Sequence, residues 1–230
     1  MKLYVIRHGE TDRNKANRVL GRSDLPLNAT GKRQADLAGI QLAKIHFDAI
    51  YSSPMIRVDQ TAHEITKYQH LAAPIIYDDR LIEMNFGIYE GVLRNDPEFQ
   101  KVKRNFFKPL SGGESYLEVA CRVYSFLDDL AKKDGKYGLE NVLIVTHGGI
   151  MRMIENYFHP MDPEQFATFF VKNCTVRTYD LPALNRDEKK PLSAHQLNEL
   201  HQAIPELVHE QTNREICHIS GLYPNGPHGK

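Results

Sequence analysis

Cysteine is scarce in this sequence. Its three cysteines, Cys121, Cys174 and Cys217, lie far apart, are odd in number and form no Cys-x-x-Cys pair. This spacing argues against a disulfide framework and against a structural zinc site. The sequence therefore predicts a protein of a reducing compartment, the cytoplasm.

Charge of one sign and long apolar runs are also missing. Lys plus Arg and Asp plus Glu both number 29, so no overall charge favours nucleic acid or an anionic membrane as a partner. No stretch approaches the roughly 20 apolar residues of a membrane helix. Only four apolar residues stand directly before Arg7, too few for the core of a signal peptide. We therefore expect a soluble protein that binds neither nucleic acid nor membrane.

The 230 residues suit one α/β domain with an appendage. Short apolar runs alternate with segments of helical period, which predicts a three-layer sandwich with a mostly parallel central sheet flanked by helices. Strands are predicted at Leu3–Ile6, Ala49–Tyr51, Ile75–Tyr77, Val142–Val145 and, with the alternation of an edge strand, Thr175–Tyr179.

Helices are predicted from N-terminal caps followed by apolar residues at helical spacing. In one of them Ser53 is expected at the N-cap and Pro54 at the first helical position. The other expected bounds are Asn28 to about Lys44, about Ser115 to Lys133, and a start at Gly148 or Gly149.

Two segments depart from the alternation of strands and helices. Residues 91–113 mix prolines, basic residues and aromatics, and we interpret them as a short inserted cap. After Pro182 the composition turns polar, so we expect a domain at 1–182 and an extension at 183–230. The extension is predicted to form a C-terminal helix over Ser193–Glu210 and to end in disorder. It could cover the core, mediate a homodimer or do neither.

Two histidines directly follow predicted strands. His8 is preceded by Arg7, and His8 and His147 are each followed by glycine, Gly9 and Gly148. Open α/β sheets bind ligands at the carboxyl ends of their strands, so both histidines could face one site. Gly9 would let the backbone approach a tetrahedral anion and offer its N–H, and a helix beginning near Gly148 would attract anions. One such histidine is commonly an ordinary loop residue, but the pair indicates a functional site.

An ordered series of motifs extends this pattern over about three-quarters of the chain. It comprises Arg7-His8-Gly9-Glu10-Thr11 with Asn14, Gly21, Asp24-Leu25-Pro26-Leu27, Gly31 to Gln34-Ala35, Ser52-Ser53-Pro54 with Arg57, Gln60-Thr61-Ala62, Glu83 with Gly87, Glu90-Gly91, Gly112-Gly113-Glu114-Ser115 and Thr146-His147-Gly148-Gly149. From Leu3 to about Tyr179 the sequence resembles the histidine phosphatase superfamily, in its phosphoglycerate mutase-like branch with the Arg-His-Gly motif.

The resemblance implies a phosphomonoesterase that forms a phosphohistidine on His8. A neutral imidazole attacks phosphorus, and the intermediate divides hydrolysis into two displacements. Arg7 and Arg57 would keep His8 neutral and bind the phosphoryl oxygens. His147, cationic once phosphate is bound, would be a further donor. No metal and no cofactor is implied.

Further site residues are carried over from the same resemblance. Asn14, Gly21 and the backbone N–H of Gly148 are expected to bind substrate. From its position alone, Glu83 fits a surface glutamate in the loop after Ile75–Tyr77. The resemblance instead implies that Glu83 protonates the leaving oxygen and later takes a proton from the attacking water.

Departures from the family favour a hydrolase over a mutase. In cofactor-dependent phosphoglycerate mutases an Arg-His-Tyr run and a longer insertion follow the general acid, whereas Met84-Asn85-Phe86 follows Glu83 here. Leu20 stands where many relatives have a polar Gln. The short cap favours small phosphorylated metabolites as substrates. A phosphoglycerate mutase and a catalytically weak protein that binds phosphorylated ligands remain the alternatives, and the complete catalytic set argues against the latter.

The cap also carries a group of basic residues. A solvated basic face is their expected role, and contact with an acidic substrate is the alternative. These residues are Lys101, Lys103, Arg104 and Lys108.

Overall fold

The structure, a computed structural model, describes residues 1–70 and 72–183. The helix predicted over Ser193–Glu210 and the expected disordered end lie outside the described residues. The elements follow in the order β1 Lys2–Arg7, α1 Asp12–Lys15, α2 Ala29–Leu42, β2 Ala49–Ser52, α3 Ile56–Thr66, β3 Ile75–Tyr77, α4 Pro97–Val102, α5 Tyr116–Tyr137, β4 Asn141–Thr146, α6 Gly148–Phe158, α7 Pro163–Thr168 and β5 Val176–Asp180. Two short 3₁₀ helices cover Asp79–Leu81 and Gly87–Tyr89.

The predicted strands form one five-stranded sheet in the order β3-β2-β4-β1-β5. The pairs β3–β2, β2–β4 and β4–β1 are parallel, and β5 pairs antiparallel with β1. The edge position of β5 is the one that its alternating sequence predicted. In the pairing of β1 with β4, Arg7 lies opposite Thr146. This register brings the residues that follow the two strands, His8 and His147, side by side.

Helices cover both faces of the sheet, which confirms the α/β prediction. Ile50 of β2 belongs to the core under α2 and α3. Its neighbour Tyr51 points to the other face, where its ring packs edge to face on Phe126 of α5 with 5.3 Å between centroids. None of the helices in the described part of the chain is long and apolar enough to cross a membrane.

The predicted cap at Ser53 is wrong. Helix α3 begins at Ile56, with Met55 at the N-cap and no side-chain cap. The N–H of Ser53 still donates to the carbonyl of Val145 at 3.2 Å, so this residue continues the sheet ladder and cannot start a helix.

The other helix ends were close to their predicted positions. Asn28 caps α2, which ends at Leu42, before the expected Lys44. Ser115 forms a capping box at the start of α5, which continues past Lys133 to Tyr137. Gly138 then stops α5 in the left-handed conformation with φ 66°. Helix α6 begins at Gly148, as predicted.

Candidate active site

A cavity of about 480 Å³ opens beside the carboxyl ends of β1 and β4. The predicted site residues in its wall are Arg7, His8, Asn14, Glu83 and Gly148. Arg57 and His147 are fully buried and lie outside this wall. Gly21 is also absent from the wall, and its carbonyl instead accepts a hydrogen bond from Arg57 at 2.7 Å. The structure therefore places Gly21 as a support for Arg57.

His8 is held as a neutral imidazole with a defined tautomer. Its Nδ1 lies 2.7 Å from the carbonyl oxygen of Gly9. A carbonyl oxygen can only accept, so Nδ1 carries the proton and Nε2 keeps a lone pair. Burial, and then the charges of Arg57 and Arg7, hold the pKa of His8 well below its ordinary value. Nε2 therefore presents a free lone pair at neutral pH.

Backbone carbonyls orient the two arginines beside His8. Arg7 Nη1 donates to Val171 O at 2.6 Å, and Arg57 Nη1 and Nη2 donate to Ser23 O at 2.9 Å and Gly21 O at 2.7 Å. Burial lowers the pKa of each guanidinium to about 10, so both remain charged at neutral pH. Neutral carbonyls thus supply the hydrogen bonds of both guanidinium groups, and Asp24, which pairs with Arg57, stays 4.0 Å from its Nη1.

The predicted use of Gly9 as an anion donor is not what the structure shows. Its N–H donates to Thr61 Oγ1 at 3.0 Å, and the Thr61 hydroxyl donates to Arg57 O at 2.7 Å. A Cβ on Gly9 would lie 2.4 Å from the carbonyl oxygen of Gly31. This position needs glycine because helix α2 packs directly against the loop after β1.

His147 packs against His8. The rings of His147 and His8 meet edge to face with 5.2 Å between centroids, and His147 Nε2 lies 2.9 Å from Ser53 Oγ. Burial, followed by the charges of Arg57 and His8, holds the pKa of His147 well below its ordinary value. The cationic form implied by the resemblance therefore requires the negative charge of a bound anion.

Glu83 is a cavity residue and not a surface glutamate. It is 6 % exposed, and its carboxylate accepts hydrogen bonds from Met84 N at 2.9 Å and Gly149 N at 3.1 Å. A Cβ on Gly149 would lie 2.4 Å from Glu83 Oε1. The second glycine of the Thr-His-Gly-Gly motif therefore makes room for this carboxylate.

Unpaired hydrogen-bond donors concentrate at His8 and along the adjoining cavity wall. Six buried side-chain nitrogen or oxygen atoms of the described residues have no hydrogen-bond partner. Five are nitrogens of Arg7, Asn14, Arg57, His147 and Arg152, and the sixth is the hydroxyl oxygen of Tyr51. An unpaired buried donor costs about 1–3 kcal/mol, so a protein retains several in one place where a ligand will accept from them. Arginine, amide and imidazole nitrogens together suit an anion with several oxygens.

Two arginines of the cavity wall were not predicted as site residues from the sequence, Arg94 and Arg152. Arg152 lies one turn after Gly148 in α6, where a single cation interrupts an apolar helix, and this signal was available. Arg94 lies in the segment interpreted as the cap, without a pattern that marks it. Within the described residues, no group of three or more His, Cys, Asp or Glu side chains is arranged as metal ligands would be.

Comparisons with known proteins agree with this geometry. Residues 3–186 match the histidine phosphatase superfamily (branch 1). The chain is 35 % identical to the uncharacterized phosphatase PhoE of Bacillus subtilis over 74 % of this chain and 83 % of that protein. It is 32 % identical to phosphoserine phosphatase 1 of Hydrogenobacter thermophilus, over 76 % and 84 % of the two chains.

Mutases and solved structures are among the similar proteins as well. A 2,3-bisphosphoglycerate-dependent phosphoglycerate mutase of Cytophaga hutchinsonii is 29 % identical, over 77 % of this chain and 86 % of the mutase. A solved mycobacterial glucosyl-3-phosphoglycerate phosphatase superposes with a TM-score of 0.67 at 25 % identity, over 77 % of this chain and 88 % of that one. From its motifs, its sheet and these relatives, the chain belongs to the histidine phosphatase superfamily, branch 1.

Proposed function

We propose that this protein is a phosphomonoesterase that hydrolyses small phosphorylated metabolites through a phosphohistidine on His8. The observation that carries the proposal is the group of unpaired buried donors around a neutral histidine whose Nε2 has a lone pair. A phosphoryl group matches these donors in charge and in number of oxygens.

The first step is attack by His8 Nε2 on phosphorus. The bond from phosphorus to the ester oxygen breaks, while Arg7, Arg57 and Asn14 stabilise the charge on the equatorial oxygens. Protonated Glu83 gives its proton to the leaving oxygen. In the second step water attacks the phosphohistidine, Glu83 takes a proton from that water, and His8 leaves as the neutral imidazole.

The reaction as proposed uses neither a metal nor a cofactor. The guanidinium groups of Arg7 and Arg57 supply the positive charge that a metal supplies in other phosphatases. We assign the enzyme to the cytoplasm because its cysteines are few, and Cys121 and Cys174 are free thiols in the structure.

Two features around the cavity support hydrolysis over phosphoglycerate mutation. Leu20, which lines the cavity, offers no polar contact to a retained intermediate. Met84, the residue after the general acid, is buried and has an uncharged side chain, so it supplies no charge to the site. A mutase must hold its dephosphorylated product until it is rephosphorylated. The mutases among the relatives nevertheless make isomerisation the second activity to measure.

The test is release of inorganic phosphate from a panel of phosphomonoesters in EDTA, with wild type and His8→Ala compared. The panel includes 3-phosphoglycerate with its bisphosphate primer. EDTA-resistant release that requires His8 is the expected result. Isomerisation of 3-phosphoglycerate without phosphate release would identify a mutase, and inactivity on every compound would favour a protein that only binds phosphorylated ligands.

Glu83→Gln tests the general acid within the same assay. Hydrolysis of alkyl phosphates is expected to slow by about 10²–10⁴ because the leaving alkoxide needs a proton. Aryl phosphates with good leaving groups need it far less and should be spared. An equal loss on both substrate types would refute the assignment of Glu83.

A further inference from the structure

A second group of cations lines the same cavity. It consists of Arg94, Lys103 and Arg152. Arg94 precedes α4, Lys103 is the C-cap of α4, and Arg152 lies in α6, so separate segments of the chain converge on one space. In the described part of the chain, the only carboxylate in the cavity wall is Glu83.

None of these cations has an ion-pair partner within the described residues; their recorded hydrogen bonds go to neutral oxygens. Arg94 Nε donates to Arg18 O at 3.1 Å, and Lys103 Nζ lies 3.5 Å from Ala167 O. The Arg152 guanidinium donates to the hydroxyl of Tyr116 at 3.1 Å and to Phe169 O at 2.9 Å.

Arg104 offers an internal comparison. It also lines the cavity, but it donates to Glu164 at 3.2 Å in an exposed ion pair. Arg104 is therefore neutralised by an ion pair, whereas Arg94, Lys103 and Arg152 form none within the described residues.

These cations repel one another at close range. Burial lowers the pKa of the Lys103 ammonium, and the charges of Arg152, Arg104 and Arg94 lower it further. Burial also lowers the pKa of Arg94; the charge of Glu83 opposes this shift, and the charge of Arg152 adds to it. Concentrating like charges around a cavity is unfavourable unless an anion compensates them.

We propose that Arg94, Lys103 and Arg152 form a second anion subsite, so that the enzyme prefers phosphomonoesters carrying a further anionic group, a carboxylate or a second phosphate. The proposal rests on the proposed function, in which the reacting phosphoryl group lies at His8. A cavity of about 480 Å³ accommodates a small molecule with anionic groups at both ends. Of the two roles considered for the cap lysines, contact with an acidic substrate is thus assigned to Lys103.

The test measures binding separately from turnover. Calorimetry on His8→Ala compares 3-phosphoglycerate with glycerol 3-phosphate, which differ at the carboxylate. Fructose 1,6-bisphosphate is compared in the same way with fructose 6-phosphate, which lacks the second phosphate. A charge-assisted contact predicts that, in at least one pair, the compound with the additional carboxylate or phosphate binds about tenfold to a hundredfold more tightly. The pair that shows the preference identifies the anion.

Variants then assign the preference to the cluster. Lys103→Gln and Arg94→Gln, each added to His8→Ala, should reduce the preference by about tenfold or more. Lys108→Gln, an exposed cap residue outside the cavity wall, and Arg104→Gln, the neutralised arginine, should retain it. Lys103 has only one long contact, so its substitution is the safer one for folding.

The outcomes separate this proposal from the proposed function. Equal binding within both pairs, or a preference that survives both cavity substitutions, would overturn the second subsite even if His8-dependent hydrolysis is observed. A preference that depends on Lys103 or Arg94 supports the subsite even if the wild type releases no phosphate, a result that would defeat the phosphatase proposal alone.

Discussion

Substituting Gly149 by alanine should disable the general acid without touching its side chain. The added Cβ would lie 2.4 Å from Glu83 Oε1, whereas real Cβ atoms essentially never approach another heavy atom within 3.0 Å. The carboxylate must therefore move away by at least about 0.6 Å. It would also lose its hydrogen bond from Gly149 N. Misplacement on this scale costs about 10²-fold in rate where a group must transfer a proton.

The assay compares kcat/KM on an alkyl phosphate and on p-nitrophenyl phosphate. Gly149→Ala should lose about 10²-fold on the alkyl ester and little on the aryl ester. In a Glu83→Gln background the same substitution should add almost nothing, because the two changes act through one group. Gly148→Ala is the comparison for a methyl group beside the phosphate site, since its Cβ would lie 3.5 Å from Arg7 Nε; any loss that it causes should be equal on the two esters.

Two results would refute this reasoning. Equal losses by Gly149→Ala on the two esters would mean that the methyl group obstructs phosphate binding and does not act on proton transfer. Additive losses in the Glu83→Gln background would mean that the two residues act independently.

The remaining predictions concern stability. His8 and His147 stay neutral in the folded protein, whereas in the unfolded chain both histidines take up protons below pH 6.5. The free energy of unfolding should therefore fall by about 1.4 kcal/mol per histidine for each pH unit below that value, until the pKa of the folded state is reached. Urea titrations at several pH values should show a shallower decline in His147→Gln. Gly9→Ala should destabilise the fold by about 1–3 kcal/mol in the same titrations, because its Cβ meets the backbone of Gly31. Inorganic phosphate at about 100 times its Kd should stabilise the wild type by about 2.7 kcal/mol in thermal unfolding at constant ionic strength. Asn14→Asp adds a carboxylate to the cavity wall and should abolish this stabilisation.

The strands were predictable because a buried parallel sheet leaves a strong local signal. Each run of apolar β-formers, such as Leu3–Ile6, became a strand, and the alternation in Thr175–Tyr179 identified the edge. Register carries no such local signal, since the pairing of Arg7 with Thr146 joins distant parts of the chain. The error at Ser53 has the same origin, because only the long-range bond to Val145 keeps that residue in the sheet.

Three short helices, α1, α4 and α7, went unpredicted, although the sequence marks the starts of α4 and α7. Asp96-Pro97 and Asp162-Pro163 supply an N-cap and a first-turn proline for α4 and α7. Both helices are short, so hydrophobic periodicity could not develop. The N-cap aspartate and the first-turn proline were the signals available for α4 and α7, and they would have been enough to predict where both helices begin.

The types of residue in the motifs identified the site, but the role of each residue in it depends on tertiary structure. Gly21 was expected to contact the substrate. The folded chain instead uses the carbonyl of Gly21 to orient Arg57. No local pattern distinguishes a glycine that contacts a ligand from one that supports the residue that does.

The backbone carbonyls that hold the arginines explain how a neutral histidine can coexist with a site for a dianion. If carboxylates held Arg7 and Arg57, each pair would be neutral, and the pKa of His8 would move back toward its ordinary value. A phosphate would then have to separate buried ion pairs before it could bind, at a large cost. Carbonyl acceptors fix the same geometry without a carboxylate in hydrogen-bond contact, since Asp24 stays 4.0 Å from Arg57 Nη1. Glu83 follows the complementary rule: backbone N–H groups hold its carboxylate, so positioning the acid does not require an arginine that phosphate needs.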